Sequence, residues 1–217
     1  MNTRGLIQAS GYAIAALVLA GCAAAPYDYT NFRQHPPRSI LVLPPLNEST
    51  AVEGTWGYLS TVTRPLAERG YYVFPIAVVD QFLKENGLPG AGEMHQVPLN
   101  KVTEILGADA VLFITVEDYG SKYQVINTMT IVKARAKLVD TRTGLLLWEG
   151  KTAVQQNSNA GSGNLLAAVV AAALTQVLGT TTDAAHRISG QANIILFNTK
   201  DQGLLHGPYH PKYDRDD

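Results

Sequence analysis

The chain has 217 residues, 46% of them hydrophobic and only 16% charged, which argues for one domain of ordinary size, or two small ones, with a sizeable core and against a disordered chain. Lys and Arg number 17 against 18 Asp and Glu, a net charge of −1, so no basic footprint for nucleic acid is present. A single cysteine excludes disulfides within the chain and every multi-cysteine metal site.

Residues 1–21 read as a removable leader. Arg4 and the terminal amine supply positive charge, and Tyr12 to Ala20 is apolar. As a helix that stretch spans about 14 Å, about half of a ~30 Å hydrocarbon core, so it is a signal segment rather than a membrane anchor. Leu19-Ala20-Gly21-Cys22 follows and resembles the lipobox of bacterial lipoproteins. Ala20 and Gly21 are small enough for a narrow peptidase pocket, and the Cys22 thiol is the group there that alkylates to a thioether. The resemblance implies cleavage between Gly21 and Cys22, with diacylglycerol and an N-acyl chain carried covalently on Cys22. Burial of acyl chains contributes about 0.8 kcal/mol per CH₂, so two or three chains make the attachment effectively permanent. Ala23 stands where that pattern has Asp for inner-membrane retention, which implies outer-membrane lipid as the partner of Cys22 and the periplasmic face as the domain's expected location.

Residues 22–38 carry proline and polar side chains without an apolar period and read as a lipidated tether. Ser39 to Leu43, closed by Pro44-Pro45, predicts a first strand buried on both faces. Trp56, Leu59, Val62, Thr63, Leu66 and Ala67 recur at helical spacing, predicting one helix to Glu68 with Pro65 as a kink or first-turn residue and Gly70 as its stop. Tyr71 to Pro75 predicts the second strand. Helices are predicted over 77–85 and 98–106, the latter opened by Pro98 and ended by Gly107, around a flexible 87–97 loop. Ala108 to Val116 predicts a third strand. Lys122 to Asp140 and Leu145 to Gln155 predict two longer ones joined by a Thr141-Arg-Thr-Gly144 turn. The order β-α-β-α-α-β followed by a β-meander predicts a single α/β domain over residues 39–200. Its sheet is mixed, with a parallel βαβ part followed by an antiparallel meander and helices packed on it. Residues 201–217 read as an extended tail.

Two stretches suggest surfaces. Val132, Ala134, Ala136 and Leu138 alternate with Lys133, Arg135 and Lys137, which predicts one buried and one solvated face. From Thr152 to Thr182 no residue is charged. Within it, Leu165, Leu166, Val169, Val170, Leu174, Val177 and Leu178 would share one helical face, while Ala167, Ala168, Ala171, Ala172 and Thr175 leave another face small and smooth. That small face is the candidate self-association face, with burial inside the same domain and membrane insertion as the competing readings.

Catalytic and metal-binding patterns are missing. No Gly-x-Ser-x-Gly elbow occurs, and the Gly-rich 87–92 and 161–163 stretches lack the strand-to-helix setting of a phosphate loop. His206 and His210 are four apart, but Pro208 forbids a shared helical face, so the tail reads as a docking segment rather than a metal site. The expectation is no catalytic residue, no metal and no dissociable cofactor.

Arg38-Ser-Ile-Leu-Val-Leu-Pro-Pro45, Leu106-Gly-Ala-Asp-Ala-Val-Leu-Phe-Ile-Thr-Val116 and Lys137-Leu-Val-Asp-Thr-Arg-Thr-Gly-Leu-Leu-Leu-Trp148 resemble envelope lipoproteins with a TolB amino-terminal-like domain, including CsgG-type and penicillin-binding-protein-activator lipoproteins. With the His-Gly-Pro-Tyr-His-Pro ending, residues 19–213 resemble a family of uncharacterised bacterial lipoproteins described as parts of a transport or secretion apparatus. The resemblance implies a non-catalytic accessory or structural subunit of an envelope assembly, partnered by copies of itself or by a CsgG-like lipoprotein. An adaptor activating a peptidoglycan-synthesis enzyme is the alternative.

Overall fold

The computed structural model describes residues 26–123, 128–157, 184–213 and 215. In chain order its elements are α1 (Thr30–Gln34), β1 (Ser39–Val42), β2 (Leu46–Asn47), α2 (Gly54–Leu59), α3 (Thr63–Glu68), β3 (Tyr72–Val73), α4 (Ile76–Glu85), α5 (Ala91–Met94), α6 (Leu99–Leu106), β4 (Ala110–Tyr123), β5 (Thr128–Asp140), β6 (Leu146–Asn157) and α7 (Ala184–Asn198). The strands form one mixed sheet of order β3-β1-β4-β5-β6, with β2 pairing on β4 beyond β1. The pairs β1–β3, β1–β4 and β2–β4 are parallel, and β4–β5 and β5–β6 are antiparallel. This is the expected α/β architecture, parallel first and meandering afterwards.

The path from β1 to β3 and back across to β4 runs in opposite directions along the sheet, so crossovers of one hand fall on opposite faces. Tyr58, Leu59, Val62 and Leu66 from α2–α3, with Ile188, Ala192, Leu196 and Phe197 from α7, cover one face. Val79, Leu83, Met94 and Val102 from α4–α6 cover the other, against Leu41, Leu43 and Val111. Strand β1 is therefore enclosed on both sides, as its unbroken apolar run predicts.

Several boundaries differ from the sequence reading. The expected helix through Glu68 is two helices, α2 and α3. Ser60 and Thr61 hydroxyls donate to the carbonyls of Gly57 and Tyr58, competing with helical pairing. In a continuous helix the Pro65 ring would meet the Thr61 carbonyl; in α3 it occupies the first turn instead. Lys122 belongs to β4, which is extended past a bulge between Val116 and Asp118. The second strand is only Tyr72–Val73, the 87–97 loop contains α5, and Pro98 caps α6 while Gly107 ends it at φ 68°.

Neither terminal segment is the free chain that its composition suggests. Residues read as tether include α1, whose Phe32 is 3% exposed and joins the core. Aromatic burial outweighs the local proline content here. The tail read as extended folds back in turns, with Leu204 1% exposed, Tyr71 Oη donating to Leu205 O at 2.6 Å and Gly207 N to Arg69 O at 2.8 Å.

The turn joining β5 to β6 lies at the expected Thr141–Gly144, and the Asp140 side chain, which the sequence reading did not single out, closes it. Gly144 has φ 74°, and Asp140 Oδ1 accepts from Arg142 N, Thr143 N and Thr143 Oγ1 at 2.7–3.0 Å. Burial pushes the Asp140 carboxyl up, but the Thr143 and Arg142 hydrogen bonds and the Arg142 charge outweigh it and hold it below its ordinary value. A depressed folded value means that the stabilisation is present above an unfolded pKa of about 3.9 and is lost as pH falls through the folded value. Asp140→Ala is expected to cost about 1–2 kcal/mol near neutrality and to flatten the stability-versus-pH curve below about pH 4. Urea titrations of both chains across that range measure this.

Candidate functional site

Strand β6 forms one edge of the sheet. Near its start the edge is covered: Asn31 Nδ2 of α1 donates to Leu146 O at 3.1 Å, and the Tyr27 phenol bonds the Glu149 backbone. Burial pushes that phenol up, helped by the Glu149 and Asp28 carboxylates and opposed by the Glu149 hydrogen bond. Beyond Glu149, no backbone group among the described residues pairs with the outer edge of β6. A groove of about 760 Å³ runs along this edge. Tyr27, Ala136, Gly150, Ile195 and Leu196 line it together with Lys133, Lys137 and Lys151.

Packing beneath the groove depends on two residues of β6. Trp148 is fully buried, donates Nε1 to Gln202 O at 2.9 Å and lies 5.7 Å from the Phe197 ring. The ring crosses over Gly150, where a Cβ would sit 2.5 Å from Trp148 Cζ2 and 2.9 Å from Leu196 Cδ1. Glycine at 150 is therefore required by close approach rather than by backbone angle.

A second groove, of about 680 Å³, begins at the same Pro26–Asp28 segment and passes Arg33, Arg69, Lys200 and His206. Its floor ties residues 27–29 to residues 201–203. Tyr27 N donates to Asp201 O at 2.8 Å, and Tyr29 Oη donates to Gly203 O. The His206 and His210 rings stack with centroids 3.9 Å apart and planes 15° from parallel. In that geometry their in-plane lone pairs run side by side instead of converging on one ion, and His210 Nδ1 already accepts from Lys212 N at 3.1 Å. The two histidines four apart in sequence are thus brought together, as part of the tail's packing.

The remaining titratable groups are dispersed. His95 Nε2 lies 2.9 Å from Pro44 O and its ring packs edge-on to Phe113; burial pushes its pKa down against that hydrogen bond. His186 Nδ1 is 3.3 Å from Ser60 Oγ, but that hydroxyl is engaged with Gly57 O. Among the described residues no group of three or more His, Cys, Asp or Glu converges on a common point. The Lys133–Arg135–Lys137 row occupies a solvated face, where Arg135 bridges Glu117 at 2.7 Å and Glu48 at 2.8 Å and Lys137 lies 4.0 Å from Glu149. Exposed pairs of this kind contribute about 0–1 kcal/mol each.

Of the sequence-predicted sites, Gly21 and Cys22, and the small face Ala167, Ala168, Ala171, Ala172 and Thr175, lie outside the described residues. The β6 edge and the aromatic clamp Tyr27–Tyr29–Phe32 did not emerge from periodicity. Three aromatics within six residues of a proline-rich segment were the available signal for the clamp.

A Neisseria meningitidis serogroup B protein described as "Putative lipoprotein NMB1124/NMB1162" is 44% identical over 198 residues, covering 89% of this chain and 92% of that one. The crystal structure of lipoprotein GNA1162 from Neisseria meningitidis aligns with a TM-score of 0.55 at 50% identity, over 58% of this chain and 87% of that one. The carboxy-terminal domain of LpoB from Salmonella enterica aligns over 65% of this chain and 92% of that one, with a TM-score of 0.41 at 17% identity, too slight a likeness to carry function. The family model described as "Putative lipoprotein GNA1162-like" matches residues 27–209, and the chain belongs to that family.

Proposed function

We propose that this protein is an outer-membrane lipoprotein, anchored through diacylglycerol and an N-acyl chain on Cys22 and facing the periplasm, that serves as a non-catalytic accessory or structural subunit of an envelope transport or secretion assembly. The lipobox at Leu19–Cys22 and membership of a lipoprotein family support the anchor. One observation carries the assembly role: β6 has an outer edge that no described residue pairs beyond Glu149, beside a groove with an apolar floor. A row of unpaired N–H and C=O groups recruits a strand from a partner. The partner is a second copy or a CsgG-like lipoprotein in the same membrane, with the small face at Ala167, Ala168, Ala171, Ala172 and Thr175 as an additional self-association contact.

A photocrosslinking residue placed at Ala153, exposed on β6, tests this in intact cells, with Val78 on α4 (65% exposed) as control. The expected adduct from Ala153 is a homodimer or a conjugate with an envelope transport component, and Val78 gives neither. A conjugate with a peptidoglycan synthase would favour the adaptor role, and no adduct from Ala153 would remove β6 as the docking edge. Cys22→Ala is expected to abolish palmitate labelling and move the chain from the membrane to the soluble fraction. Retained label would refute the anchor.

A further inference from the structure

We propose that the domain rests directly on its membrane, with the face around Pro26 turned onto anionic lipid head groups. This depends on the reading of Cys22 as the lipid-bearing residue. Cys22 and Pro26 are four peptide units apart, at most about 14 Å of extended chain. Pro26 does not begin a free lead. The next residue is clipped to Asp201 O through its backbone N–H, Tyr29 reaches Gly203 O, the Tyr27 and Tyr29 rings lie 5.0 Å apart, and Phe32 is buried. A folded chain of this size has a radius of gyration of about 16 Å, hence a diameter of about 40 Å, so its far pole lies well beyond the reach of that connection. A 14 Å connection does not allow that pole to turn toward the bilayer. The tether of 17 residues suggested by composition would have allowed any orientation; the observed clamp removes most of its reach.

Charge on this face fits the same surface. The two grooves meet at the Pro26–Asp28 segment. The first is rimmed by Lys133, Arg135, Lys137 and Lys151 with Glu117 and Glu149. The second has Arg33, Arg69 and Lys200 with Asp28 and Asp201. Seven cations thus face five carboxylates here, counting the Glu48 that bridges Arg135, whereas the whole chain has 17 against 18. Arg135 is bound by Glu48 and Glu117, and Lys137 lies 4.0 Å from Glu149, which leaves Lys133, Lys151 and Lys200 to carry most of the attraction. A Debye length of about 8–10 Å limits that attraction to charges held close to the lipid, as a short connection does.

Cys22 is the chain's sole cysteine, so the mature chain 22–217 can be coupled through it to maleimide-bearing lipid in vesicles containing about 30% phosphatidylglycerol in phosphatidylcholine. Lysine acetylation rates are then read by mass spectrometry. Lys133, Lys137, Lys151 and Lys200 are expected to slow at least about three-fold relative to Lys84 and Lys101, which line neither groove. The protection should disappear in about 0.5 M salt and in Lys137→Glu/Lys151→Glu, both at exposed positions. Uniform acetylation, protection centred on Lys84 and Lys101, or equal protection on phosphatidylcholine alone would overturn the proposal; the first would also be the result if the cationic face binds an acidic protein instead. Chemical coupling is independent of what the cell attaches to Cys22, so failure here and failure of palmitate labelling are separate results.

Discussion

Truncating Trp148 to alanine is expected to lower the unfolding free energy by about 3–5 kcal/mol, measured as a fall in the urea midpoint of the mature chain at unchanged slope. The side chain is fully buried, so its loss removes apolar contact with Phe197 and leaves a cavity beneath the groove. It also removes the hydrogen bond from Trp148 Nε1 to the Gln202 carbonyl, at a further cost of about 1 kcal/mol. Trp56 is the internal control. It is 50% exposed on α2 with Lys84 Nζ 5.2 Å from its ring centroid, an arrangement worth about 0.5–1 kcal/mol. Trp56→Ala is therefore expected to stay within about 1 kcal/mol of the parent. Equal losses for the two tryptophans would mean that α7 and residues 199–204 do not close over β6 as described. Since the β6 groove depends on that closure, Trp148→Ala should also weaken any crosslink formed from Ala153.

The two tryptophans illustrate which parts of this fold are legible in one sequence. Strand β5 could be read because the β-sheet period of two is local: Val132, Ala134, Ala136 and Leu138 alternate with charge, and all four are buried. The Thr141–Gly144 turn and the Gly107 helix end could be read because each needs a residue that takes a positive φ. Strand β4 beyond Val116 could not. Glu117 adds a bulge, and the polar Asp118, Gly120, Ser121 and Lys122 take their order from pairing with β5. The edge position of β6 was hidden for a similar reason. Whether a strand is central or terminal is decided by sheet order, which residues 146–157 do not encode by themselves. Proline content at 36–37 and 208–211 pointed to free chain at both ends, yet Tyr27, Tyr29, Phe32 and Leu204 tie both ends to the domain.

Gly70→Ala is expected to cost about 2–4 kcal/mol, and its comparison with Gly87→Ala isolates the docking of the tail. The two glycines have nearly the same backbone angle, φ 84° and 82°. Each alanine therefore carries a similar left-handed penalty of about 1–2 kcal/mol. They differ in surroundings. A Cβ at Gly87 meets nothing within 4 Å, whereas one at Gly70 would lie 2.5 Å from His210 Cβ and 2.8 Å from His210 Cα, with His210 N closer still. Two of these three atoms are backbone, so no rotamer change relieves the overlap. The turn at 207–210 must lift, which breaks Gly207 N to Arg69 O and Tyr209 N to Gly70 O. In chains ending at residue 205, the Gly70→Ala cost should fall to that of Gly87→Ala, because the obstructing atoms are gone while the strained φ remains. A Gly70 penalty that stays larger after truncation would mean that the strain resides in the 69–71 corner itself and that the stacked histidine tail contributes little to holding the second groove.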